Sequence, residues 1–598
     1  MKLAACLCVV LFLVACTSIH PLPASTETEL EATFLTGGPI NFPEGFMTSI
    51  KDYGAKGDGV TDDTAAILRA LRERGACSPS CGGTPVQLYF PAGTYLVSDT
   101  LDWQGFGCCI TLQGQGSRST IIRLKNNAPG FSNPARPKAV IRTENGNEAF
   151  NNYVVDMAIS TGRGNAGAVG LDFISSNGGL VSNVRIYSED GSGVVGLAMT
   201  RNEPGPLLIK NVAIFGFAYG VDIARPVYNI VMENVSLARQ QNAGIRHEGN
   251  SLTIRKLYSN NQVPALQTSS GGSSAAVTLL GAVLRGGRFE NSAIQNLGNS
   301  SLLYLRDITT TGYNSALEGV DGINLREYLS DTTYTLFNNP ARASLNLPVR
   351  ATPSYQDTNL DNWIRYTGNT DTLQSVLNSG KATVYMQARA YSDPFVTVTV
   401  PDTVKRIIGF DSRFNGGIRF IVESNSTTPL IIERVGYGVS VDHKGKRPVV
   451  LKSSTFNYLS QPGVGSLFLE DVVMEPFTVQ PGQSVWARQL NMETDKTRII
   501  NNGGQLWIAG FKIENRGTLI DTRNNGKTEL LGGFVFPALD PGQDIAFRSS
   551  DSQISLNFIQ NGFVAGYGYR VFVEETRNGV TRRQPQTANS QMSLFIGY

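Results

Sequence analysis

Two glutamates, Glu493 and Glu514, stand 21 residues apart and close similar strings, Trp486-Ala-Arg-Gln-Leu-Asn-Met-Glu493 and Trp507-Ile-Ala-Gly-Phe-Lys-Ile-Glu514. Paired carboxylates are the machinery of glycoside hydrolysis, set ~5 Å apart for retention and roughly 6.5 to 9.5 Å apart for inversion. Two carboxylates held close together cannot both ionise freely, so one is expected to keep its proton to higher pH. A carboxyl of that kind can protonate a glycosidic oxygen. The structural alternative is a solvated carboxylate stack neutralised by Lys512 or Arg488. Arg488, Gln489 and Lys512 lie beside the pair as candidate substrate-binding residues. Trp486 and Trp507 join them as candidate stacking platforms, with burial in a core as their alternative. Asp471 and Glu529, on flanking turns of the chain, are candidates for the base that activates water.

The pair matters only if something stacks it. Trp486 and Trp507 are 21 residues apart, Trp507 and Glu529 are 22 apart, and Gln489, Gly510 and Gly532 keep the same beat. One short apolar run per period, with Asn/Gly-rich turns between, predicts an all-β chain wound as a parallel β-helix. Positions one period apart then lie one rung apart, roughly 4.8 Å, with Glu493 beneath Glu514. Earlier rungs align on Asn183, Asn211, Asn234 and Lys256, spaced by 28, 23 and 22 residues. Asn recurring at a turn suits a left-handed backbone and predicts an amide ladder inside the coil.

An amphipathic helix is expected over Ala65–Leu71, capped by Thr61 or Asp62, ahead of the strand at Val86. The acidic cluster Asp58, Asp62 and Asp63 is assigned to turn and cap chemistry. The pattern restarts at Asn369–Leu377, where a second capped helix precedes the strand Ala382–Met386. Two tandem β-helices are therefore expected, each with an N-terminal helical plug to cover the bare coil end. The boundaries are a first coil over 47–313, a connector over 314–368 and a second coil over 369–598.

Residues 1–15 carry Lys2, a short apolar run and Leu13-Val14-Ala15 before Cys16. The run is too short to span a bilayer. It resembles a bacterial lipoprotein signal, which implies lipidation of Cys16, export, and anchorage at the outer membrane or cell surface. An ordinary secretory signal is the alternative. Residues 16–46, rich in Ser, Thr, Glu and Pro, are expected to form a flexible tether. Of seven cysteines, Cys77, Cys81, Cys108 and Cys109 remain as disulfide candidates, with three possible connectivities. Zinc is the alternative for them, but no histidine lies nearby, and neither metal nor cofactor is expected. With 51 basic against 49 acidic residues and only 17% charged, there is no basic field for nucleic acid, and a neutral polymer is the more natural partner.

The strings Tyr53–Ile67 and Phe90–Tyr95 resemble the opening of pectate-lyase-like right-handed β-helices. Two plugged coils, together with the strings ending at Glu493 and Glu514, resemble glycoside hydrolase family 55. Ile513 stands where that family usually shows threonine. The resemblance implies an exo-type, inverting β-1,3-glucanase with a cleft between the coils, Glu514 as proton donor and Glu493 as the carboxylate that orients or tunes it. Two other classes compete: a polysaccharide lyase acting on an acidic glycan, and a non-catalytic, tailspike-like glycan-binding protein.

Overall fold

The computed structural model describes residues 40–74, 85–103, 109–147, 149–271, 275–338, 343–368, 371–392 and 394–598. Almost every element is a strand, and the strands wind into two right-handed parallel β-helices. The first coil is built from a 15-stranded and a 9-stranded sheet, the second from a 15-stranded and a 6-stranded sheet with one further strand pair. Each coil has its own apolar interior, filled by inward-facing Val, Ile, Leu and Phe.

Helix α1 (Thr64–Arg74) plugs the first interior with Ile67, Ala70 and Leu71, and helix α2 (Leu373–Leu377) plugs the second with Leu373, Val376 and Leu377. Thr372 caps α2 through its hydroxyl, which accepts from the Ser375 N–H. At α1 the cap lies one residue later than expected. The Asp63 carbonyl accepts the Ile67 N–H at 3.0 Å, while the Asp63 carboxylate takes the N–H groups of Lys56 and Gly57 at 2.6 and 2.9 Å. Asp62 makes a local turn, accepting from the Thr64 N–H at 3.1 Å and from the Thr64 hydroxyl at 2.6 Å. Asp58 closes its own turn on Val60 and Thr61, so the acidic cluster is cap and turn chemistry. The far ends of the coils are closed by antiparallel strands, Asn324–Leu329 on the first and Gln591–Gly597 on the second.

Within 314–368 the chain forms further strands. Trp363–Tyr366 already pairs in parallel with Thr383–Met386, so the second coil's sheet begins ahead of its plug. Ahead of Trp363, over residues 345–355, the chain crosses the seam where the coils meet. Leu347 packs there with Leu280, Tyr304, Phe468, Trp486 and Trp507.

Each coil bends along a column of left-handed residues. In the first coil Asn183, Asn211, Asn234 and Lys256 have φ of 55°, 54°, 62° and 58°. Their strands are β1 (Ser176–Tyr187), β2 (Leu207–Phe215) and β3 (Asn229–Ala238), with the next strand carrying Lys256. The amides form the ladder the spacing predicts: Asn234 donates to Asn211 at 2.7 Å, Asn211 to Asn183 at 2.9 Å, and Asn183 to Asp156 at 2.8 Å. It is not inside the coil. A left-handed residue turns its side chain out of the bend, so the ladder faces the seam, half-buried.

The second coil answers with Asp471, Gln489, Gly510 and Gly532 on β4 (Leu467–Met474), β5 (Ser484–Met492), β6 (Gln505–Glu514) and β7 (Lys527–Phe536). The upper rungs press together. A Cβ on Gly510 would stand 2.0 Å from a Val231 methyl, and one on Gly532 would stand 1.8 Å from the Thr253 hydroxyl. Glycine at these left-handed positions is what lets the two backbones meet.

Candidate active site between the coils

Met492 on β5 pairs with Ile513 on β6, so the residues that follow, Glu493 just past the end of β5 and Glu514 at the end of β6, lie one rung apart on the same wall. Between them stands Lys512. Its ammonium donates to Glu493 Oε1 and to Glu514 Oε1, each at 2.5 Å. The first coil completes its surroundings: Asn177 Oδ1 lies 3.3 Å from Nζ, and the Tyr228 ring centroid lies 5.1 Å away. Asn491 donates to Glu493 at 3.0 Å, and Asn515 ties the Glu493 carbonyl to the next rung at 2.8 Å. Both glutamates stay partly open to solvent while Lys512 has none.

This overturns the expectation of mutual repulsion. Burial works against the Glu493 charge, but the Lys512 ammonium, by charge and hydrogen bond, and the Asn491 amide hold its carboxyl below the usual range.

Glu493 lines a pocket of about 150 Å³ between the coils. Asn151, Asn177 and Phe150 of the first coil line it together with Asp471, Arg413 and Tyr437 of the second. Asp471 is enclosed, and its carboxylate accepts from the Gly179 N–H at 2.9 Å and the Ser453 hydroxyl at 3.1 Å. Burial pushes its carboxyl up to about 7; these two hydrogen bonds pull the other way, and the neighbouring Glu470 and Asp411 add to the rise. Among the candidate bases, Asp471 therefore reaches the pocket. Glu529 does not: it is fully buried, paired with Arg306 at 2.7 Å, and accepts the N–H groups of Asn346 and Leu347 at 2.9 Å each.

The five candidate substrate contacts have other partners. Trp486 is stacked on Phe468 with centroids 4.8 Å apart, and its indole N–H donates to the Pro348 carbonyl at 2.9 Å. Trp507 is buried in the same seam, with the Arg488 guanidinium 5.3 Å from its ring. Arg488 is fully enclosed, ion-paired with Glu233 and bonded to the Arg350 carbonyl. Gln489 accepts from Asn229 of the first coil at 2.7 Å. Lys512 spans the two glutamates instead of reaching the pocket. All five sit on faces that look outward from the second coil, and the first coil together with the connector around Leu347–Arg350, not solvent, covers those faces.

Tyr437, 47% exposed, with Arg413 at 5.6 Å from its ring, was not anticipated; nor was Asn177. The rung from Asp156 to Asn183 takes 27 residues and the next one 28, against 23 and 22 on the two after that, so rung length alone does not single out the turn that carries Asn177 to the site. Cys109 is buried beside the pocket. Cys77, Cys81 and Cys108, like Cys16 and its signal, lie outside the described residues.

Residues 47–275 match the model of a family described as Rhamnogalacturonase A/epimerase, pectate lyase-like. That match covers the first coil, whose sheets wind as a parallel β-helix, and supports a likeness to the pectate-lyase-like proteins there. The chain is 26% identical over 204 residues to Glucan 1,3-beta-glucosidase of Cochliobolus carbonum, 32% of this chain and 25% of that one. It is 55% identical over 64 residues to Non-secreted LysM effector LysM15 of Penicillium expansum, 10% of this chain and 4% of that one. The matches thus span a quarter or less of these curated relatives' lengths. Among solved structures, sacteLam55A from Streptomyces sp. SirexAA-E aligns at TM-score 0.42 and 10% identity, over 93% of this chain and 99% of that one.

Proposed function

We propose that the protein is a glycoside hydrolase that cleaves a β-1,3-glucan from a chain end with inversion, exported and held at the cell envelope by lipid on Cys16. The observation that carries the hydrolase reading is the Glu493–Lys512–Glu514 bridge on the wall of the inter-coil cleft. In this assignment Glu514, taking up its proton from solvent, gives it to the glycosidic oxygen, and Glu493, held ionised beside Lys512, takes a proton from the attacking water. The named glucan enzyme among the partial relatives supports the substrate class. A pocket of about 150 Å³ lies well below the roughly 300–1,000 Å³ of drug-sized sites, which suits one terminal sugar and supports an exo mode.

The test is a glycan panel of β-1,3-glucan and uronate polymers, run on wild type and Glu514→Gln. Reducing-sugar release from the glucan, lost in a folded Glu514→Gln, is the expected result. Release of an unsaturated uronide absorbing in the ultraviolet indicates a lyase instead, and binding without product indicates a glycan-binding protein.

One observation favours a second assignment of roles within the same reaction. Asp471 and Glu493 line one pocket with carboxyls pushed in opposite directions, as an acid–base couple requires. In that assignment Asp471 is the donor and Glu493 the base. Asp471→Asn then abolishes turnover while Glu514→Gln retains it.

A further inference from the structure

The seam between the coils is not uniformly closed. Above, Gly510 and Gly532 bring the backbones into contact; below, Arg434 and Asp411 reach across to Gln87. Between those clamps a cavity of about 600 Å³ remains, walled by the Asn183–Asn211–Asn234 ladder and roofed by residues 352–358. It shares the Asp471 and Ser453 wall with the candidate pocket but contains neither Glu493 nor Glu514. Its volume falls within the range of small-molecule sites.

Its lining selects by charge and by hydrogen bonding. The cations already have partners: Arg406 pairs with Glu433, Lys210 with Glu470, and Lys452 lies 3.7 Å from both of those glutamates. Arg434 pairs with Asp411 at 3.2 Å. Four cations and four carboxylates, Asp156 and Asp471 among them, line the cavity, so among the described residues its formal charges balance. Hydrogen-bonding capacity is left over, however. Each ladder amide has a second N–H and a second lone pair, and two enclosed atoms of the lining, Arg434 Nε and Thr352 Oγ1, have no partner among the described residues. The Arg434 side chain is 8% exposed. Enclosed polar atoms of this kind are costly unless something satisfies them. Leu208, Ile431 and Tyr355 supply apolar and aromatic surface to the same space. Hydroxyls alternating with C–H faces are the surface of a carbohydrate.

We propose that this cavity is a binding site for a neutral oligosaccharide, separate from the pocket that holds Glu493. The site goes beyond the hydrolase reading and stands without it.

The test uses the full chain carrying Glu514→Gln, with laminaritriose, the β-1,3-linked glucose trimer, as the probe. Calorimetry gives the stoichiometry, and a crystal soaked in the trimer gives the location. Asn211→Gly removes a ladder amide yet keeps the left-handed backbone, and Tyr355→Ala alters the roof if the first variant fails to fold. Two sites are expected, one of them weakened at least about tenfold by Asn211→Gly or Tyr355→Ala, with trimer density along the ladder. A single site abolished by these variants supports the cavity and overturns the pocket assignment. A single site that neither variant changes, or no binding, overturns the cavity proposal.

Discussion

Glu493 and Glu514, 21 residues apart in the chain, accept hydrogen bonds from the same Lys512 ammonium, each at 2.5 Å. The β-helix turns a sequence period into a spatial neighbour, and the lysine converts what would be a repelling pair into a bridged one.

Replacing the bridge tests its electrostatic role. In Lys512→Met the two carboxylates face each other without a cation, and of the groups that hold the Glu493 carboxyl low only the Asn491 amide remains. The acid limb of the pH–rate profile on β-1,3-glucan is expected to move up by about one unit or more, with lower turnover at neutral pH. A profile that superimposes on wild type contradicts this role.

Asp471 makes stability depend on pH in the direction opposite to an ion-paired acid. Its folded-state carboxyl is raised to about 7, so the protonated form is favoured by the fold. Its contribution is fully present below about pH 4 and is lost as pH rises through about 7. Asp471→Asn, permanently neutral, should therefore gain on wild type as pH rises from 5 to 8, by at most about 3 kcal/mol. Thermal melting across that range checks the sign. A constant difference rules it out.

Glu529 anchors the seam. Glu529→Gln leaves the enclosed Arg306 guanidinium without its counter-charge and should cost about 3–5 kcal/mol. Denaturant unfolding reads the loss. An effect on activity with stability unchanged would instead return Glu529 to the candidate bases.

The ladder column tests the backbone argument. Asn234 sits at φ of 62°, where a β-branched side chain is strained. Asn234→Val should destabilise by about 1–3 kcal/mol more than Asn234→Gly, which loses the same amide without the strain. Equal losses would assign the position's value to its hydrogen bonds alone.

Much of this architecture is written locally. The plugs at Ile67 and Leu377, the left-handed turns at Asn183, Asn211 and Asn234, and the one-rung offset of Glu493 beneath Glu514 follow from residue type and period, because a β-helix rung repeats its neighbour's geometry. What the period does not encode is which outward face of a coil meets water. Trp486, Arg488 and Trp507 carry the residue types of a sugar site, and Asn183 those of an interior ladder. Only the docking of one coil on the other sends the first three into a seam and leaves the ladder facing a cavity. The same docking brings Asn177 and Tyr228 to Lys512, and encloses Asp471 until its proton is held near neutral pH. These are contacts between residues hundreds of positions apart, set by packing two surfaces whose complementarity no single stretch of chain contains.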